Sequence, residues 1–235
     1  MRKYLIVGIA ALTALAFTAV SFAQTPAATM DVQITPKKAG TKKKPKSSKI
    51  NLEIVNGDSK RTLSRLVVTT PKTYKLDATG LTKCDEHTLE TGGPKACPKA
   101  SRVGKGIAHA LVGVNGPNPT PLTFDVTPVV LGPKKLSFYL AARELPVNVL
   151  APGSIKGRKL TIDVPIAAQQ PAPGTWAGLV SLETTLSAKK GKRTLGSTNG
   201  CKNKKHAFST VMTFVDNTVG APGTLTVKDS SACSK

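Results

Sequence analysis

The residues that could do chemistry in this chain are four cysteines, three histidines and thirteen acids. Cys84, Cys97, Cys201 and Cys233 are even in number, which reads as two disulfides in a chain that reaches an oxidising compartment. Three pairings are open, and proximity along the chain favours Cys84–Cys97 with Cys201–Cys233. The rival reading is a metal site built from Cys84, His87 and Cys97. It lacks CxxC spacing, so neither a metal nor a cofactor is expected. There is no GxSxG elbow, HExxH helix, Walker loop or GxGxxG turn, so the common nucleophilic, zinc and nucleotide chemistries lack their motifs. His109 is expected mid-strand, facing the core or a cleft, and His206 on the surface in a lysine-rich turn. Asp125, Asp163 and Glu183 fall on candidate strands. Glycoside hydrolysis would need two such carboxyls within roughly 5–10 Å; each reads more simply as an outward-facing strand residue. No catalytic residue is assigned.

Charge is the stronger signal. The chain carries a formal +21, with 34 Lys and Arg against 13 Asp and Glu. Segment 36–49, PKKAGTKKKPKSSK, holds seven of the lysines and no acid. Like charges repel and Pro45 breaks pairing, so an exposed, mobile hairpin loop is expected there. Lys42, Lys43, Lys44 and Lys46 are its candidate polyanion-binding residues. A second basic segment, 188–205, carries Lys189, Lys190, Lys192, Arg193, Lys202, Lys204 and Lys205. Aromatic residues make up only 4% of the chain, too few to interleave with the lysines as a base-stacking platform, so no specific nucleic acid is expected as partner.

The first 23 residues give an address. Arg2 and Lys3 precede an apolar run from Leu5 to Val20, and Ser21-Phe22-Ala23 follows before Gln24. This is the pattern of a cleaved secretory signal peptide, and it leaves a mature chain of residues 24–235 with no transmembrane segment and a net charge of +19. The expected location is extracellular or cell-wall associated.

Strands must position whatever acts. Ile50, Leu52 and Ile54 alternate with Asn51 and Glu53, Leu136, Phe138 and Leu140 with Ser137 and Tyr139, Leu160, Ile162 and Val164 with Thr161 and Asp163, and Phe208, Thr210, Met212 and Phe214 with Ser209, Val211 and Thr213. A period of two marks strands with one buried face. Further strands are expected in 31–35, 65–70, 73–77, 106–112, 123–129, 179–186 and 224–228. Asn56-Gly57, Gly132-Pro133, Pro152-Gly153 and Pro222-Gly223 read as turns. No sustained helical period appears, though 141–145 could form one turn. About eleven short strands in one domain predict an all-β fold, an antiparallel sandwich or jelly roll with little helix.

The stretch 84–108, CDEHTLETGGPKACPKASRVGKGIA, is the most distinctive. It resembles a C…CPxxSxVGxGxA pattern of secreted actinobacterial proteins of unknown function, matched by Cys84, Cys97, Pro98, Ser101, Val103, Gly104, Gly106 and Ala108. The tail from Cys201 to Asp216 and on to Cys233 is similar to the closing strands of that group. The resemblance implies a secreted all-β domain and supplies no catalytic residues. On its own residues, Gly92-Gly93-Pro94 predicts a tight reversal inside a disulfide-stapled loop, rimmed by Asp85, Glu86, His87 and Glu90. Gly104 and Gly106 predict a bulge or a close approach between strands.

These readings converge on a noncatalytic extracellular protein that binds anionic cell-surface polymer or acidic glycan through its lysine loops. The alternatives are a carbohydrate-active enzyme or lectin on a jelly roll, and a structural or adhesion domain whose charge serves solubility.

Overall fold

The structure, a computed structural model, describes residues 28–235; segment 1–23, which reads as a signal peptide in the sequence, lies outside the described residues. Its elements are β1 (Thr29–Thr35), β2 (Lys46–Ser47), β3 (Lys49–Val55), β4 (Thr62–Thr69), β5 (Tyr74–Leu76), α1 (Glu86–Ala96), β6 (Gly104–Val112), β7 (Thr120–Gly132), β8 (Lys135–Ala142) and β9 (Asn148–Lys156). There follow β10 (Lys159–Asp163), α2 (Ile166–Gln169), β11 (Ala177–Leu186), β12 (Lys189–Lys190), β13 (Arg193–Thr194), β14 (Gly196–Thr198), β15 (Lys205–Val215) and β16 (Gly223–Ala232). The fold is all-β and antiparallel, with little helix.

Eleven strands form one sheet in the order β1-β3-β11-β6-β7-β8-β9-β10-β4-β15-β16. The sandwich therefore takes the form of a single sheet curled until its edges meet. With eleven strands alternating in direction, the first and last run parallel, so an antiparallel ladder cannot close the ring. Side chains and one bridge close it instead. Asp229 Oδ2 accepts from the Val32 N–H at 2.7 Å, Ser231 Oγ accepts from the Ile34 N–H at 2.8 Å, and Lys38 bridges Ser234 in parallel. Alternation places Met30, Val32, Ile34, Ile50, Leu52 and Ile54 inside, while Asp31, Gln33, Glu53 and Lys49 face water. The inward faces share one main apolar core that runs from β1 round to β16.

Strand β9 was hidden by Pro152-Gly153, which reads as a turn but lies mid-strand. The β10 ladder ends at Gly153, so Pro152 has a partner only on β8, opposite Ser137, and its missing N–H breaks no rung toward β10. Gly153 gives way to Phe138: a Cβ there would lie 3.0 Å from that ring. Residues 141–145 form the end of β8 and a loop rather than a helical turn.

The disulfide-stapled loop also departs from expectation, because it holds α1. Asp85 caps this helix by accepting from the Thr88 N–H at 3.1 Å, and Gly93, at φ 64°, kinks it before Pro94. Only Leu89 and Gly93 of the helix are buried, which is too little apolar surface to leave a helical period in the sequence. With Cys84, Cys97 and Val129, Leu89 forms a small second core on the outer wall of the barrel.

The disulfides are Cys84–Cys97 and Cys201–Cys233, closing separations of 13 and 32 residues. Loops of that size contribute roughly 3 and 4 kcal/mol in the chain-entropy account. The second ties the start of β15 to the end of β16, beside the seam.

The register sorts the connections to two ends. Thr35 pairs with Lys49, Ile50 with Leu186, Gly104 with Leu186, and Lys159 with both Lys156 and Thr69. Connections 36–48, 70–103, 133–134, 157–158 and 187–204, with the C-terminal residues, therefore leave from one end. Connections 56–61, 113–119, 143–147, 164–176 and 216–222 leave from the other.

Candidate functional site

The two basic segments of the sequence meet at the first of these ends. β14 pairs with β2 on one side and β5 on the other, so Thr198 lies opposite Lys46 and Ser197 opposite Ser47. Ser47 Oγ and Thr194 Oγ1 are 2.7 Å apart. This three-stranded sheet, with Tyr74, Leu76 and Leu195 buried beneath it, floors the barrel. The adjoining β12–β13 hairpin presents Lys189, Lys190 and Arg193, with Lys192 at its turn. These contacts bring two basic segments, 147 residues apart at Ser47 and Thr194, side by side at one end of the barrel.

Lys42, Lys43, Lys44 and Lys46 are all exposed. Their loop is anchored rather than free. The Ala39 N–H donates to Ser234 O at 2.9 Å, the Gly40 N–H to Thr198 Oγ1 at 3.1 Å, and the Thr41 N–H to Lys44 O at 3.0 Å. The last of these, with Thr41 Oγ1 accepting from the Lys44 N–H, shapes a turn with Lys42 and Lys43 at its tip. Lysine repulsion favours an open loop, but backbone hydrogen bonds to β14 and to the chain's end hold its stem.

Sequence reasoning missed a second part of this basic end. Between α1 and the outer face of β7 and β8 lies an open groove of about 620 Å³, lined among others by Lys95, Lys99, Arg102, Asp125 and Tyr139. The Asp125 carboxylate already accepts from Arg143, from Nη2 at 2.6 Å and Nε at 3.0 Å. The groove's other charges are thus Lys95, Lys99 and Arg102. Of the four rim residues named from the sequence, all are exposed; Asp85 caps α1 and Glu86 pairs with Lys135 at 2.6 Å. The available signal was the spacing of Lys95, Lys99 and Arg102 around Cys97-Pro98.

Asp125, Asp163 and Glu183 lie on three different strands. Asp163 pairs with Arg65 at 2.5 Å on a distant part of the wall. Asp125 and Glu183 both lie opposite Ile107, so they sit two strands apart on the convex outer face. Trp176 is half-buried, its backbone N–H held by Asn115 Oδ1 at 3.1 Å. His109 is exposed on the outer face, 3.4 Å from Thr123 Oγ1. His206 is a correction to the surface position expected for it: it is buried at the head of β15, Nδ1 2.9 Å from Thr73 Oγ1, and burial pushes its imidazole below the ordinary histidine range. A strand residue that faces inward is buried even when its sequence neighbours are lysines.

Gly104 and Gly106 do permit close approach. A Cβ on Gly104 would lie 1.9 Å from Thr185 O, and one on Gly106 would lie 2.2 Å from Glu183 O. These glycines draw β11 against β6 at the basic end. Among the described residues, no three His, Cys, Asp or Glu side chains are grouped to hold a metal ion, and no helix is long and apolar enough to cross a membrane. What the arrangement offers chemically is a dense field of fixed cations with a groove beside it. No protein-family model matches the chain, and comparison with curated proteins finds no similar one.

Proposed function

We propose that this is a noncatalytic extracellular protein that holds an anionic polymer, of the cell surface or an acidic glycan, against the basic end of its barrel. The observation that carries the reading is the β2–β14 pairing, which brings the 36–49 and 188–205 segments with their lysines side by side. The loops at that end carry most of the chain's lysines, with only Asp77, Asp85, Glu86 and Glu90 against them. Such a surface attracts polyanions over about 8–10 Å at physiological salt and reads charge density rather than sequence. The signal-peptide pattern, the two disulfides and the resemblance to secreted proteins support an extracellular setting.

The test is retention on an immobilised anionic polymer across a salt series. The triple variant Lys42→Gln, Lys43→Gln, Lys44→Gln should elute at lower salt than wild type with unchanged stability, and adding Lys189→Gln and Lys190→Gln should lower it further. Equal elution of all three proteins would refute the reading.

A further inference from the structure

The opposite end of the barrel is built differently. Its connections hold Lys60, Arg61 and Arg143 against Asp58, Glu144 and Asp216, so they are neutral overall. All five exposed large apolar side chains of the described residues lie there: Val55, Leu145, Val147, Val219 and Ile166, the last 75% exposed. Between them the barrel opens into an apolar cavity of about 230 Å³.

The cavity exists because small residues stand where larger ones would fill the core. Ala108, Ala110, Ala151 and Ala177 line it, with Leu122 and Phe124 opposite. Ala110, Val112, Leu140 and Leu182 face inward yet are only half-buried, so the mouth is open to solvent. Protein interiors rarely leave voids larger than a water molecule, and a dry apolar cavity of about 150 Å³ already takes up benzene.

Its shape selects the ligand. Along β6 the lining runs from Val112 at the mouth to Ala108, four residues or roughly 13 Å deep. Spread over that depth, the volume describes a space longer than it is wide, the shape of an extended alkyl chain. Two of the three cations at this end are engaged elsewhere: Arg143 is held by Asp125, and Arg61 lies over the Phe214 ring at 3.9 Å and donates to Ala221 O.

A cover is present. α2 crosses the mouth with Pro165 and Ala168 toward the cavity. The connection that carries it is tied at its start by the Val164 N–H to Ser64 O and at its end by Asn115 Nδ2 to Gly174 O. Between these ties, the hydrogen bonds of residues 165–172 among the described residues stay within the connection itself. It is tied at both ends and unladdered between.

We infer that the barrel binds a single alkyl or acyl chain of an amphiphile, methyl end inward, entering past α2 and leaving its polar head in water. This does not rest on polyanion binding at the other end.

The experiment is displacement of the neutral fluorophore N-phenyl-1-naphthylamine from purified exported protein by homologous n-alkanols and fatty acids. Trp176, the chain's one tryptophan and the neighbour of cavity-lining Ala177, serves as a second reporter. Affinity should rise about fourfold per added methylene until the cavity is full and then level off. Alkanol and acid of equal length should bind alike, and salt should have no effect. Ala110→Leu with Ala151→Leu should fill the cavity and weaken binding at least tenfold while circular dichroism stays native. Should that variant not fold, the wild-type chain-length series decides. Absence of displacement at every length, or a salt-sensitive preference for acids, would overturn the inference.

Discussion

The Asp229 carboxylate and the Val32 amide lie 2.7 Å apart across the seam where β1 and β16 run parallel. Asp229 sits opposite Phe208 on β16, so its side chain points to the inner side of an edge strand and reaches the unpaired edge of β1. It supplies the acceptor that a backbone ladder cannot place there. It also blunts two sheet edges that would otherwise be open to pairing with another chain.

Asp229→Ala should therefore lower stability by about 1–3 kcal/mol, the worth of a charge-assisted hydrogen bond whose donor is left without a partner. Asp229→Asn, which keeps an oxygen, should lose less. Urea denaturation gives the ranking, and amide exchange at Val32 should quicken in the alanine variant. An unchanged urea midpoint would show that the seam holds without this residue.

His206 predicts an acid sensitivity. Burial lowers its folded pKa from the ordinary 6.5, and Nε2 has no hydrogen-bond partner. As pH falls below about 6.5 the unfolded chain takes up the proton first. Stability is thus full above that value, declines below it, and levels off under the folded pKa. The urea midpoint of wild type should fall between about pH 7.5 and pH 5 more steeply than that of His206→Gln. Parallel curves would show that His206 titrates as it does in the unfolded chain.

Much of this fold was legible because alternation survives wherever one face of a strand meets the core: β1, β3, β8, β10 and β15 all carry it. What escaped did so for local reasons. Pro152-Gly153 mimics a turn inside β9, and α1 buries too few residues to show a period. The basic end was visible as two separate lysine runs; that they lie side by side depends on the β2–β14 pairing, a contact across the length of the chain. The cavity left no trace at all, since Ala108, Ala110 and Ala151 look in sequence like any small core residues. Emptiness belongs to the register that sets them side by side.

The last prediction concerns a row of acids. Asp31 lies directly opposite Glu53 on β3, and Glu53 directly opposite Glu183 on β11. All three are exposed, and none belongs to the four ion pairs found among the described residues. In a chain with 34 basic residues and 13 acids, three acids on adjacent strands are a concentration of like charge in one place. Like charges directly opposite across a sheet are destabilising by the same few tenths to one kcal/mol that opposite charges contribute. Glu53 faces both of the others, so neutralising it relieves two repulsions at once. Glu53→Gln should raise stability by about 0.3–1 kcal/mol, and Glu53→Lys by more, because attraction then replaces repulsion on both sides. The groups are exposed, so ions screen them: at about 1 M salt the Debye length is near 3 Å, and the advantage of both variants over wild type should disappear. Urea midpoints of the three proteins at low and high salt test this. A gain that persists in high salt would assign it to packing or strand propensity instead, and no gain at low salt would show that solvent already separates the three carboxylates.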